Sequence, residues 1–169
     1  MNMINKINKL PESEFTKVFA NIFENASWIA KKLYNQKPFI SFEELSLKMI
    51  NIFEKSSKEK KLEILNAHPD LADKAKIALL TPDSKKEQNS VGLDKCTEEE
   101  FKEFKHLNLT YKKFGFPFIL AIKGKSKIEI LNNFRKRINS EKQIEFEEAV
   151  RQVKKIANLR LQDLNSKNI

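Results

Sequence analysis

His68 is the side chain of this sequence best suited to proton transfer, because imidazole has an ordinary pKa close to neutrality. The chain contains two histidines, and this one lies in the stretch Asn66-Ala67-His68-Pro69-Asp70-Leu71. Pro69 disfavours a helical backbone at His68 and is itself well tolerated in the first turn of a following helix. We therefore predict an elbow between two helices. His68 is either a proton-transfer group there or a junction residue that caps or packs against a neighbouring helix.

A second group of polar side chains lies in the stretch Ser84-Lys85-Lys86-Glu87-Gln88. If a helix begins at Ser84, its first backbone N–H groups favour a bound anion or polar ligand. Ser84 and Glu87 also have the spacing of a capping box, in which a hydroxyl and a carboxylate bind each other's backbone N–H groups. The stretch is therefore either part of a binding site or a simple helix cap.

Arg160 falls on the apolar stripe of the last predicted helix, seven residues after Val153 and four after Ile156. An arginine at a core position is rarely left unpaired. We expect it to meet a carboxylate or an anionic ligand, unless its stem packs and its head group reaches water.

The run Phe114–Ile122 is apolar but contains Gly115 and Pro117. Such a segment predicts a buried, non-helical wall with unpaired backbone amides that a ligand could use.

Several other kinds of chemistry lack the residues they need. One usable histidine without a histidine–cysteine cluster falls short of an ordinary metal site, so no metal is expected. No Gly-x-Ser-x-Gly motif is present, and three glycines cannot build a phosphate-binding loop. His106 falls on the lysine-rich side of its helix and is expected to be solvated. What remains is acid–base chemistry without a cofactor.

The net charge of +9 raises the possibility of nucleic-acid binding. However, only four of the 32 basic residues are arginine, the side chain that base and phosphate recognition favours. The lysines are interleaved with glutamates along the predicted helices, as in Glu59-Lys60-Lys61. We therefore expect no nucleic-acid partner.

Apolar residues recur at helical spacing along most of the chain, which predicts an all-α fold. Five capping boxes mark helix starts: Ser41 with Glu44, Ser84 with Glu87, Thr97 with Glu100, Ser126 with Glu129, and Ser140 with Gln143. The other boundaries predict a helix from about Ser13 to Tyr34, one ending near His68, a short one from Pro69 to about Leu80, and a last one from Ser140 to about Leu164.

The length of 169 residues fits a single domain over residues 1–169. Cys96 is the only cysteine and cannot form an internal disulfide. No apolar run reaches the length of a membrane span, and the amino terminus lacks the apolar core of a signal peptide. The simplest expectation is a cytoplasmic protein that does not bind membranes.

The motifs of the chain occur in a distinctive order. They are His-Pro-Asp-Leu at 68–71, Ser-x-x-Glu-Gln at 84–88, Gly92-Leu93, Asn108-x-x-Tyr111-x-x-Phe114-Gly-Phe-Pro-Phe118, Arg137-x-Asn139-x-Glu141 and Arg160-Leu161. Phe15, Trp28 and Pro38-Phe39 fit the same pattern. The ordered set closely resembles the family of 2-oxo-4-hydroxy-4-carboxy-5-ureidoimidazoline (OHCU) decarboxylases of urate degradation, over nearly the entire chain.

The resemblance implies an all-helical homodimer that converts OHCU to (S)-allantoin without a metal or an organic cofactor. It implies that His68, Glu87 and Arg160 are catalytic. The implied substrate-binding residues are Pro69, Ser84, Lys85, Lys86, Glu87, Gln88, Phe118, Ile119, Leu120, Ala121 and Ile122. The competing interpretation is a non-catalytic helical binding module, either a lysine-rich nucleic-acid binder or the same scaffold with another ligand.

Overall fold

A computed structural model of the chain describes residues 2–73, 75–167 and 169. Over these residues the regular structure is helical and no strand occurs, which confirms the predicted all-α class. The α-helices are α1 (Met3–Lys9), α2 (Glu12–Phe19), α3 (Ser27–Tyr34), α4 (Phe42–Glu54), α5 (Lys58–Ala67), α6 (Pro82–Ser90), α7 (Glu98–Tyr111), α8 (Lys127–Arg137) and α9 (Lys142–Ser166). Short 3₁₀ turns occupy Ile77–Leu79, Leu93–Lys95 and Lys112–Phe114. None of the helices in the described ranges combines the length and apolar character that crossing a bilayer requires.

The chain divides into two compact units. The first comprises Met1–Ala67 and Lys154–Ile169, and the second comprises His68–Val153. The expectation that residues 1–169 form a single domain stays a prediction.

The core of the first unit is built from the amphipathic faces of α2, α3 and α4, which pack in sequence. The buried aromatic side chains of this core include Phe15 and Phe19 of α2, with ring centroids 4.7 Å apart, and Phe53 of α4, whose centroid lies 4.9 Å from that of Phe23 in the turn after α2. Lys37 closes one edge of this core, where its ammonium group donates a 2.7 Å hydrogen bond to the carbonyl of Leu10 and lies over the Tyr34 ring.

The single helix predicted from Ser13 to Tyr34 is wrong, because α2 ends at Phe19 and α3 begins only at Ser27. Between them the chain makes turns, and Asn25 adopts a left-handed backbone with φ of 51°. Asparagine is one of the residues that tolerate this conformation. The apolar stripe nevertheless buries Ile22 and Phe23 within the turn, so the hydrophobic pattern continued where the helix did not.

The short helix predicted from Pro69 to Leu80 is also wrong. Its described residues, 69–73 and 75–80, form turns and irregular backbone, with a single 3₁₀ turn at Ile77–Leu79. Ala72 has a φ of 53°, which is costly for a side chain with a Cβ. The backbone polar groups of this loop bind side chains of other elements, and these bonds replace the helical ones.

Three of the five predicted helix starts are confirmed, and two are displaced. Thr97 and Glu100 form a complete capping box at α7, as do Ser126 and Glu129 at α8. Ser41 caps α4, but Glu44 accepts from the N–H of Ile40 rather than from Ser41. The start of α6 is capped by Thr81, and α9 begins at Lys142, so the capping boxes predicted for Ser84 and Ser140 are wrong.

The second unit is centred on a cluster of aromatic side chains around the run Phe114–Ile122. Phe118 stacks on Phe134 of α8 with ring centroids 3.9 Å apart. The Tyr111 ring forms T-shaped contacts with the rings of Phe114 and Phe118. As predicted, this run is not helical beyond its first residue and most of its side chains are buried.

Candidate active site

His68 directly follows the last residue of α5 and is buried, with 9% of its surface exposed. The helix ends where Pro69 would exclude its continuation. The predicted elbow is therefore confirmed on its amino-terminal side, although a loop rather than a helix follows it.

The loop after His68 is held by the side chain of Gln88. Its Nε2 donates to the carbonyl of Asp70 at 3.1 Å, and its Oε1 accepts from the N–H of Ala72 at 3.0 Å. Asn108 of α7 adds a 2.9 Å bond from its Nδ2 to the carbonyl of Leu71. Both polar atoms of the Gln88 amide are therefore engaged in fixing the backbone that carries His68.

Helix α6 presents two different faces. Ser84 and Gln88, four residues apart, are buried, and Glu87 is half-buried beside them. Lys85 and Lys86 lie on the exposed face. Because Thr81 is the N-cap, Ser84 lies inside the first turn of the helix and is not its N-cap residue. The predicted substrate-binding roles on this helix, like the predicted meeting of His68 and Glu87, stay predictions.

The backbone of the segment Phe118–Ile122 is held by two buried side chains. Arg137 donates from Nη1 to the carbonyl of Ile119 at 2.6 Å, and the N–H of Ala121 donates to Oε1 of Gln152 at 2.9 Å. The prediction of unpaired amides is therefore wrong for Ala121. For Leu120, no hydrogen bond of its N–H or carbonyl occurs within the part of the chain that the structure describes.

A buried polar network that the sequence interpretation missed surrounds Arg137. Its guanidinium group pairs with Glu145 at 2.9 Å and lies over the Phe118 ring, 4.4 Å from the centroid. Tyr111 donates a hydrogen bond to the same carboxylate. The sequence does indicate that Arg137 is buried, because this residue follows Ile130 and Phe134 at helical spacing. The same pattern identified Arg160.

Burial raises the pKa of Tyr111 and of Asp70. Desolvation, reinforced by the hydrogen bond with Glu145, holds the pKa of Tyr111 well above its usual range. Tyr111 is therefore a hydrogen-bond donor here and not a base. Desolvation also raises the pKa of Asp70, against the opposing effect of Lys112.

Among the described residues, neither Cys96 nor a cluster of possible metal ligands forms a second candidate active site. The Cys96 thiol is half-buried and donates to the carbonyl of Leu93 at 3.4 Å. Burial, with the nearby Glu100 carboxylate, raises its pKa, which disfavours the nucleophilic thiolate. In the described ranges no group of three or more His, Cys, Asp or Glu side chains could hold a metal ion.

Arg160 belongs to the first unit and is buried, with 7% of its surface exposed. Its Nη1 donates to the carboxylate of Glu24 at 2.9 Å and to the carbonyl of Asn21 at 2.9 Å. The expected carboxylate partner is therefore confirmed, and the alternative of a head group in water is wrong. Both acceptors lie in the turns between α2 and α3, so the helix break supplies the partners of this arginine.

We expect Gln88→Leu to destabilise the protein by about 1–3 kcal/mol, because the buried N–H of Ala72 and the half-buried carbonyl of Asp70 lose their partner. Thermal denaturation followed by circular dichroism measures the effect. Asn89→Leu, an exposed neighbour on α6, is the matched control and should change stability little. Equal melting temperatures for the two variants would contradict the role assigned to Gln88.

The chain resembles known proteins over almost all of its length. The family model described as OHCU decarboxylase matches residues 8–162. The chain is 38% identical to a "Uric acid degradation bifunctional protein" of Bacillus sp. (strain TB-90), over 97% of this chain but 32% of that protein. It is 36% identical to a "2-oxo-4-hydroxy-4-carboxy-5-ureidoimidazoline decarboxylase" of Halalkalicoccus jeotgali, over 95% of this chain and 90% of that protein.

A solved structure agrees with the sequence matches. The crystal structure of an (S)-allantoin synthase superposes with a TM-score of 0.76 and 29% identity, over 96% of this chain and 54% of that one. The chain thus spans about a third of the bifunctional relative and about half of the synthase. Because the family model covers far more than half of the residues and a relative of similar length is more than 30% identical, this chain belongs to the OHCU decarboxylase family.

Proposed function

We propose that this protein decarboxylates OHCU to (S)-allantoin in urate degradation, without a metal or an organic cofactor. The observation that carries the proposal is the buried His68, on a loop fixed by a glutamine of the same helix that bears Ser84 and Glu87. A buried imidazole on a fixed backbone suits a reaction whose difficulty lies in moving a proton to one defined face.

The substrate supplies its own electron sink, an imine conjugated to the carbon that loses carbon dioxide. The electron pair of the broken carbon–carbon bond enters this conjugated system, so no cofactor is needed to hold it. His68, oriented by Glu87, takes the proton of the substrate hydroxyl and assists reprotonation of carbon on one face. General acid–base catalysis of this kind contributes about 10²–10⁴-fold to the rate.

The remaining residues bind and orient the substrate in this proposal. Arg160 holds an anionic or carbonyl oxygen. Ser84, Gln88 and the backbone of 118–122 fix the ring and the ureido group, with Pro69, Lys85 and Lys86 at the edge. Because both polar atoms of Gln88 already hold the His68 loop, we assign to this residue mainly the placement of His68.

The assembly and the location belong to the same proposal. We expect a homodimer in the cytoplasm, with neither a nucleic-acid nor a membrane partner. Sedimentation analysis of the purified protein tests the dimer, and a monomer at micromolar concentration would contradict it.

The test of the activity is the optical rotation of freshly generated OHCU with and without the protein. We expect the protein to accelerate loss of OHCU and to produce optically active (S)-allantoin, whereas spontaneous decay gives the racemate. A rate and a rotation equal to those of the spontaneous reaction would overturn the proposed function.

A further inference from the structure

We propose that Arg137 and Gln152 are positioning residues for the substrate, which act by orienting the backbone of Leu120. The inference rests on the proposed function and extends it to two residues that act through the backbone of segment 118–122 and not by direct contact with the substrate. Arg137 binds the peptide group between Ile119 and Leu120, and Gln152 binds the peptide group between Leu120 and Ala121.

The geometry of the peptide group determines what these bonds do. In a trans peptide the C=O and the N–H point in opposite directions. The carbonyl of Ile119 points to Arg137, so the N–H of Leu120 points away from it. The N–H of Ala121 points to Gln152, so the carbonyl of Leu120 points away from that side chain. Two bonds thereby fix the directions of both polar groups of one buried residue.

Leu120 then offers one donor and one acceptor that no described residue occupies. A buried backbone group without a partner costs free energy until a ligand or water pairs with it. The complementary ligand carries an acceptor for this N–H and a donor for this carbonyl, as an amide or urea group does. We therefore assign to Leu120 the recognition of such a group on the ring or on the ureido group of the substrate.

Both positioning side chains are themselves immobilised. Gln152 donates from Nε2 to the carboxylate of Glu148 at 2.8 Å, which fixes the direction of its Oε1. Arg137 is fixed by its ion pair with Glu145 and by the ring of Phe118. A buried ion pair is a poor source of stability compared with well-packed apolar side chains. What Arg137 adds is a rigid donor aimed at one carbonyl.

The test compares steady-state kinetics of Gln152→Leu with those of wild type and of Gln143→Leu. Gln143 is an exposed glutamine of the same helix, with a hydrogen bond to the glutamate four residues later, and is the matched control. We expect KM for OHCU to rise about 5- to 10-fold in Gln152→Leu with kcat changed less than about 2-fold. Gln143→Leu should match wild type. An unchanged KM in a folded Gln152→Leu variant would overturn the inference.

A binding measurement separates this inference from the proposed function. In ¹⁵N-labelled wild type, titration with (S)-allantoin should shift the amide signal of Leu120, and the dissociation constant should rise 5- to 10-fold in Gln152→Leu. If that variant fails to fold, Arg137→Lys, which keeps a cation beside Glu145, provides the same comparison. Failure of wild type to turn over OHCU would refute the proposed function. Turnover by wild type, with a Leu120 signal that allantoin does not shift, would refute only the inference.

Discussion

His68→Asn is expected to reduce kcat for OHCU decarboxylation by about 10²-fold or more, the usual contribution of a general acid–base group. Asparagine keeps a hydrogen-bonding side chain of similar size at the elbow but cannot exchange a proton near neutral pH. The allantoin that still forms should be racemic, because it would come from spontaneous decay. The decisive measurement is the initial rate with the spontaneous rate subtracted, together with the optical rotation of the product.

The matched control for this variant is His106→Asn. His106 lies on the exposed face of α7, where the sequence predicted it to be solvated. Its replacement should leave both rate and stereospecificity unchanged. Stereospecific turnover of His68→Asn at the wild-type rate would instead make His68 a structural junction residue, which was the alternative left open by its local sequence.

The parts of the fold that could be predicted from sequence are those fixed by local interactions. A capping box is a contact over three residues, so Thr97 with Glu100 and Ser126 with Glu129 were readable from their types and spacing. The two predicted helices that failed were broken by contacts between residues distant in sequence. The loop after Pro69 gives its hydrogen bonds to Gln88 and Asn108, and no local pattern reveals such partners.

The candidate site was predictable to a similar extent. Periodicity placed Arg160 in the core and predicted a carboxylate or an anionic ligand as its partner, but Glu24 lies 136 residues away and off the apolar stripe. Applied to α8, the same rule would have placed Arg137 in the core and predicted a carboxylate partner, which in the structure is Glu145. The helix start predicted at Ser84 failed for a different reason, since Thr81, three residues earlier, is an equally suitable cap and is followed by Pro82 at the favoured first position.

The two buried arginines use the same arrangement in the two units. Each donates to a carboxylate and also to a backbone carbonyl in a non-helical segment, which is that of Asn21 for Arg160 and that of Ile119 for Arg137. A segment without helical hydrogen bonds has carbonyls to satisfy, and a buried guanidinium group has enough donors to satisfy one while remaining paired with its carboxylate. Buried arginine in this chain therefore marks the places where irregular backbone must be held in one conformation.

Glu24→Ala is expected to destabilise the protein by about 3–5 kcal/mol, because it leaves the cation of Arg160 buried beside an incomplete set of acceptors. Only 3% of Glu24 and 7% of Arg160 are exposed, so water cannot replace the carboxylate. Urea denaturation measures the loss. The control is Glu54→Ala, which removes the partner of Lys154 from an ion pair of similar length, 3.0 Å, that is partly exposed. That change should cost no more than about 1 kcal/mol.

A further variant separates the structural role of Arg160 from its proposed role in binding the substrate. If Glu24 mainly keeps the arginine paired, the double variant Glu24→Leu, Arg160→Met should be at least as stable as Glu24→Ala, since it leaves neither charge buried without its partner. The same variant should bind OHCU weakly, because the donor proposed to hold a substrate oxygen is gone. Equal destabilisation by Glu24→Ala and Glu54→Ala would show that the buried pair is worth no more than a surface one. Unchanged KM in the double variant would limit this arginine to holding the turn at Asn21.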